Sequence, residues 1–241
     1  MRKVLIGAAL VLVLAAFPAA AGTSVAAHAP LRFDPNKKIS QSTSSNWSGY
    51  SAINGRYTSV SASWKQPAAS CTSAATYSSF WVGLDGDGSN TVEQTGTSAD
   101  CSGGVPKYYA WYEMYPKFPV NLSLPISAGD SIGGSVTTDA GGRFTLTITN
   151  LRTGQSFTTT QTLKKARLAS AEAIAEAPSG SGGVLPLTNF GTASFSSTMV
   201  NGQAIGNFSP DRIDMVSGGT TKATTSALSG GTSFSVTWKH S

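Results

Sequence analysis

Asp139-Ala-Gly-Gly-Arg-Phe-Thr-Leu-Thr-Ile-Thr149 is the stretch that decides the fold. Phe144, Leu146 and Ile148 alternate with threonines, the two-residue period of a strand with one buried face. The Asp-Ala-Gly-Gly before them is turn chemistry. Val60-Ser-Ala-Ser-Trp64 alternates in the same way, as does Ser233-Phe-Ser-Val-Thr-Trp238 after Ser229-Gly-Gly. Shorter runs at 80–84, 108–112, 131–137, 156–160 and 191–195 fill the intervals. Gly-rich turns separate these runs at roughly 10–15 residues, the spacing of antiparallel β structure. Thr and Ser on the outer faces suit half-exposed strands. The reading is an all-β chain, a β-sandwich of two large antiparallel sheets forming one domain over residues 46–241.

One segment breaks the rhythm. Leu163 to Pro178 has a helix-favouring composition, Leu-Lys-Lys-Ala-Arg-Leu-Ala-Ser-Ala-Glu-Ala-Ile-Ala-Glu-Ala-Pro. Yet alanines at 171, 173, 175 and 177 alternate with Glu172, Ile174 and Glu176. In this setting the spacing predicts a strand over 170–177, with both glutamates and Ile174 on one face. Two carboxylates flanking an isoleucine suggest a concave, partly wet surface.

The chain has 241 residues, 17 Lys+Arg and 12 Asp+Glu, a formal net charge of +5. That balance misleads. Residues 1–21 read as a secretory signal: Arg2 and Lys3, an apolar run from Val4 to Phe17, then Ala19-Ala-Ala21 as a cleavage site. Residues 22–45 read as a linker or short pro-segment. Five basic residues and one acid precede Ser40, leaving 12 basic and 11 acidic residues. The body is nearly neutral, so no nucleic-acid footprint survives. Signal removal leaves no segment that would hold the chain in a membrane. The expected state is a secreted, extracellular monomer. In that oxidising setting Cys71 and Cys101 are expected to form a disulfide. As a pro-segment, residues 22–45 would be expected to pair Lys37 and Lys38 with cleft carboxylates until acid weakens the contact.

Rarity narrows the chemistry. The two histidines, His28 and His240, lie near the chain ends. A Ser-His-Asp or Cys-His system needs a positioned imidazole, and hydrolytic zinc usually needs two or three. No metal or cofactor is expected. Acid–base work would fall to eight aspartates and the glutamates Glu93, Glu113, Glu172 and Glu176.

Three stretches concentrate acids and aromatics. They are Phe80-Trp-Val-Gly-Leu-Asp-Gly-Asp-Gly running to Glu93-Gln-Thr-Gly96, Tyr108-Tyr-Ala-Trp-Tyr-Glu-Met-Tyr-Pro116, and Ala171-Glu-Ala-Ile-Ala-Glu-Ala-Pro178. Asn46-Trp-Ser-Gly-Tyr50 precedes them and Asn189-Phe-Gly-Thr-Ala-Ser-Phe195 follows. This ordered set resembles the glutamic peptidases, or eqolisins, which are secreted acid-acting endopeptidases. The family shows Trp-Val-Gly-Ile-Asp-Gly, Leu-Gln-Thr-Gly, Ala-Trp-Tyr-Glu-Trp-Tyr-Pro and Ala-Glu-Trp-Ile-x-Glu in that order. The resemblance implies a two-sheet sandwich, protein or peptide substrates and a Gln/Glu dyad, here Gln94 and Glu176. It places Trp81, Asp85, Trp111, Glu113, Tyr115 and Glu172 among candidates for substrate contact. Glu113 is also a second catalytic candidate. Asp85 and Asp87 could bind a cation, but too few acids cluster there, and a turn-forming role fits them better. Three positions depart: Glu93 for Leu, Met114 for Trp and Ala173 for Trp. The last two are expected to remove aromatic surface beside the cleft.

A single carboxylate can act first as base and then as acid. A carboxamide can orient water and donate an N–H to a tetrahedral oxyanion, and it does not protonate under acid conditions. The pair therefore predicts an optimum of about pH 2–5, since Glu titrates near ~4.3. Two other readings use the same residues: a β-sandwich glycosidase with Glu113 and Glu176 as its carboxylates, and a non-catalytic carbohydrate-binding module.

Overall fold

A computed structural model describes residues 42–241. The proposed signal, most of the 22–45 segment and the pairing of Lys37 and Lys38 lie outside the described residues. The described chain begins with β1 (Ser42–Ser44), β2 (Trp47–Ala52) and β3 (Ser59–Lys65). Next come β4 (Ser79–Leu84), β5 (Val92–Ser102), β6 (Val105–Tyr115) and the short β7 (Val120–Leu122). A meander of β8 (Ser131–Thr138), β9 (Arg143–Asn150) and β10 (Gln155–Thr162) leads to β11 (Ala171–Glu176). A small hairpin, β12 (Ser179–Gly180) and β13 (Gly183–Val184), stands apart. The rest comprises β14 (Thr192–Val200), β15 (Gln203–Ala204), a 3-10 turn (Ile205–Phe208), β16 (Asp211–Ser217), β17 (Thr220–Thr225) and β18 (Phe234–Trp238).

Ser42–Ser44, read from sequence as part of the linker, is already in the sheet. It runs parallel to β16, with Ser42 beside Ile213 and Ser44 beside Met215. The main strands pair in the order β10-β9-β8-β3-β14-β18-β17-β16-β2-β11-β4-β5-β6-β7. β3, β8, β9 and β14 lie against β4, β5 and β11, giving the expected two layers. The layers are not two separate sheets, however. One hydrogen-bonded path runs through both, and β17 carries it from β18 to β16. The register shifts between Met215 and Val216, and such irregularities bend a strand enough to turn a sheet corner.

The stretch that opened the reading behaves as its pattern requires. In β9, Phe144, Leu146 and Ile148 are buried between the layers while the threonines alternate outward. Trp64, Phe80, Phe195 and Val236 join them in the main core. The Ala/Glu segment is a strand, not a helix. Ala171, Ala173 and Ala175 face the main core, where their small size lets the layers approach. Glu172, Ile174 and Glu176 point the other way, yet all six residues of β11 are fully buried. The expected wet surface is therefore corrected. β11 is flanked by β2 and β4; Ile174 lies in a second apolar cluster, and Glu172 and Glu176 are buried on either side of it rather than in water.

The same alternation corrects the reading of the departures. Met114 and Ala173 both belong to the core between the layers. Glu93 is paired with Leu84 and Met114 in register and shares their face. None of the three lies on the face that carries Trp81, Gln94 and Glu176, so that face keeps its aromatic residues.

Candidate active site

Register builds the site in three cross-strand rows on the outer face of β2, β11, β4, β5 and β6. Directly paired residues in an antiparallel ladder project to the same side. The first row is Ser51, Glu172, Gly83, Gln94 and Glu113. The second is Gly49, Ile174, Trp81, Gly96 and Trp111. The third is Trp47, Glu176, Ser79, Ser98 and Tyr109. Trp47, Trp81, Val92, Trp111, Ile174 and Ile213 form an apolar cluster on this face, with Tyr109 and Tyr115 packed against it.

Two glycines make room for the indoles. A Cβ on Gly96 would stand 2.4 Å from the Phe80 carbonyl oxygen, 2.5 Å from Trp81 Cβ and 3.0 Å from Trp111 Cζ2. A Cβ on Gly83 would meet Trp81 Cζ3 at 2.9 Å and Gln94 Cβ at 3.1 Å. Trp81 thus crowds the space beside Gln94. Gly96→Ala is expected to force β4 and β5 apart at a cost of roughly 1–3 kcal/mol or more. A lowered urea midpoint would show it, and an unchanged midpoint would contradict this packing.

Trp81 also reaches the third row. Its indole Nε1 donates to Glu176 Oε2 at 2.8 Å, and Asn46 Nδ2 donates to Glu176 Oε1 at 3.2 Å. Asn46 is itself placed by Ser44, whose hydroxyl donates to Asn46 Oδ1 at 3.2 Å and accepts the backbone N–H of Trp47 at 3.1 Å. Trp47 packs edge-on against Trp81, with ring centroids 4.8 Å apart. The carboxylate of Glu176 is therefore held by neutral donors in an apolar wall. Gln94 is held separately: its Nε2 donates to Glu113 Oε2 at 2.6 Å. Gln94 is level with Glu172, and Glu176 is level with Ser98, so Trp81 stands between the two levels. Trp111 donates its indole N–H to Ser98 Oγ at 3.0 Å.

Asp85 has another task. It is fully buried at the end of β4, and its carboxylate accepts the backbone N–H groups of Arg167, Leu168 and Ala169 at 2.8–2.9 Å. Those contacts fix the segment that enters β11 and so set the register of both glutamates. Asp85→Ala is expected to cost roughly 2–4 kcal/mol, because three N–H groups lose a charged acceptor. Equilibrium unfolding in urea checks this. A stable variant with selectively altered substrate affinity would instead favour substrate contact.

Nearby carboxyls are unusual. Burial, then the charge of Asp85, pushes Glu93 up to about 8. Burial also raises Asp87 to about 6, with Asp211 adding to the effect. Glu172 is raised well above the ordinary range, first by burial and then by Asp87 and Asp85. Among the described residues no group of three or more His, Cys, Asp or Glu is arranged to hold a metal ion. The Cys71–Cys101 disulfide is present and ties the loop before β4 to the end of β5.

The sequence reading picked out Trp81, Trp111, Glu113, Tyr115 and Glu172, and all project from this face or its margin. In the sequence, Asn46 and Trp47 stand out only as the opening of the domain. Their contacts with Glu176 and Trp81 span more than the local sequence, and only their place in an ordered motif set hinted at them.

A two-layer β-sandwich of this kind is also the fold of solved glutamic peptidases. The Peptidase A4 family model matches residues 45–238, and the chain belongs to that family. The chain is 34% identical over 146 residues to aspergillopepsin-2 of Aspergillus niger, covering 52% of each chain. It is 42% identical over 113 residues to scytalidopepsin B of Scytalidium lignicola, covering 46% of this chain and 42% of that one. These matches span about half the length of the curated relatives. Among solved structures, a scytalido-glutamic peptidase with a transition state analog inhibitor superposes with a TM-score of 0.72 at 28% identity. That match covers 81% of this chain and 98% of the other. The aspergilloglutamic peptidase from Aspergillus niger gives 0.62 at 30% identity, covering 68% and 99%.

Proposed function

We propose that this chain is a secreted, acid-acting endopeptidase in which Glu176 and Gln94 carry the chemistry. The observation that carries the reading is the Glu176 carboxylate, buried in a tryptophan wall and held by Asn46 and Trp81 on the face that also bears Gln94. Family membership and likeness to peptidases solved with transition state and peptide analogs support it.

In the proposed reaction an extended peptide crosses this face with its scissile carbonyl over Trp81. Glu176 takes a proton from water as the water oxygen bonds to the carbonyl carbon. Gln94 orients the water and donates an N–H to the oxyanion that forms. Glu176, now protonated, gives that proton to the departing amine as the C–N bond breaks. The products are a carboxylic acid and an amine, and Glu176 returns to its starting form. The tryptophans exclude competing water and strengthen the interactions in the site. Secretion rests on the leader pattern of residues 1–21.

The test is a substrate panel. Purified protein is offered denatured casein and soluble polysaccharides at pH 2–5. Cleavage of casein alone supports the proposal. Polysaccharide turnover without protein cleavage, or turnover of neither polymer, would move the assignment to a glycosidase or a binding module.

A further inference from the structure

Gln94 has two chemically different ends, and only one orientation of its carboxamide presents both a donor and an acceptor to a reacting carbonyl. In a primary amide one N–H points away from the C=O and the other lies beside it. If the far N–H is anchored, the oxygen and the near N–H face outward together. If the oxygen is anchored instead, the outward edge loses its acceptor. Something must choose between these states, since the two ends have nearly the same shape.

Glu113 sits where that choice is made. It lies directly opposite Gln94 on the neighbouring strand, and both side chains are buried. The contact is 2.6 Å, from Gln94 Nε2 to Glu113 Oε2. The Glu113 oxygen is the acceptor in this contact, so it holds the nitrogen end and leaves the oxygen end unanchored. Gln94 Oε1 is buried and has no hydrogen-bond partner, so the acceptor remains available. The next residue in the row on the other side is Gly83, which has no side chain to compete for that oxygen.

We propose that Glu113 is a positioning residue that fixes the carboxamide of Gln94 with its nitrogen toward β6 and its oxygen toward the reacting water. This rests on the peptidase reading above. Glu113 does not exchange a proton with the substrate in this account. It acts only through Gln94, and this distinguishes it from a second catalytic carboxylate or a substrate contact.

A double-mutant cycle tests it. Glu113→Leu removes the acceptor and is expected to lower kcat by at least about tenfold, since a misplaced group can cost up to about 10²-fold. KM should stay within about threefold, because the bound substrate is not what Glu113 touches. Glu113→Gln keeps a carbonyl acceptor but adds an N–H that can hold the oxygen end instead, so its kcat should fall between those of Glu113→Leu and wild type. In a Gln94→Ala background, Glu113→Leu should cause less than a twofold further loss, because nothing remains to be oriented. If Glu113→Leu does not fold, Glu113→Asp takes its place: it withdraws the carboxylate by one methylene and should lower kcat several-fold with the same non-additivity. An unchanged kcat, a loss confined to KM, or a fully additive double mutant would overturn the proposal. Near-normal activity of folded Gln94→Ala would sink the dyad reading itself, a separate outcome.

Discussion

Glu176→Gln is expected to lose at least about 10²-fold in kcat, the scale of one general acid–base group. The substitution keeps the side chain's size and can still accept the indole N–H of Trp81 through its carbonyl. It removes the one group on this face proposed to take and return a proton. Because Glu176 is held by Asn46 and Trp81 in an apolar setting, a water molecule has little chance of replacing it. Gln94→Ala should cost a comparable factor, since one oxyanion donor is typically worth about 10²–10³ in kcat. In both variants melting temperature and secondary structure should stay near those of wild type. A folded Glu176→Gln protein with more than about a tenth of normal kcat would remove Glu176 from the mechanism.

The second large effect is on stability, and its sign follows from buried carboxyls. Glu93 is raised from 4.5 to about 8, Asp87 from 3.8 to about 6, and Glu172 upward from 4.5. Below about pH 3 these groups are protonated in both folded and unfolded chains, and their contribution to stability is fully present. As pH rises, the unfolded chain ionises first while the folded chain must hold its protons, so stability falls through each window. For Glu93 the window runs from 4.5 to about 8. The loss is on the order of 5 kcal/mol across it. Asp130 acts in the opposite direction: its hydrogen bond to Arg152 lowers it, and its contribution is lost as pH falls. Arg152 is largely exposed, so that pair is worth little. The fold should be most stable in acid and should weaken between about pH 4 and 8. Glu93→Leu should flatten this dependence and be more stable than wild type at pH 8. Thermal melts across pH 3–9 check it, and parallel curves for the two proteins would contradict the assignment to Glu93.

Much of this was legible in the sequence for definite physical reasons. The alternation in Phe144–Thr149 has no other comfortable home than a half-buried strand, and β9 follows it residue by residue. The Ala/Glu alternation of β11 outweighed a helix-prone composition because neighbouring strands satisfy its backbone on both sides. What the pattern did not reveal was the depth of burial. Period two says that Glu172 and Glu176 share a face, but not that both are fully buried on it, with Trp47 and Trp81 alongside. Nor did it show which face carried the departures from the family pattern. Glu93, Met114 and Ala173 lie one strand position out of phase with Gln94, Glu113 and Glu172, which puts them in the core. Asp85 reads as a turn residue beside a glycine, and its three backbone partners lie more than eighty residues away. Such contacts leave no local signal.

The most direct test of the central claim is a count of new amino termini released from denatured casein at pH 2–5 by wild type and by Glu176→Gln, side by side. The account predicts steady release by wild type and at least about 10²-fold less by the folded variant. Equal release by the two proteins, or none from folded wild type anywhere in that range, would contradict it.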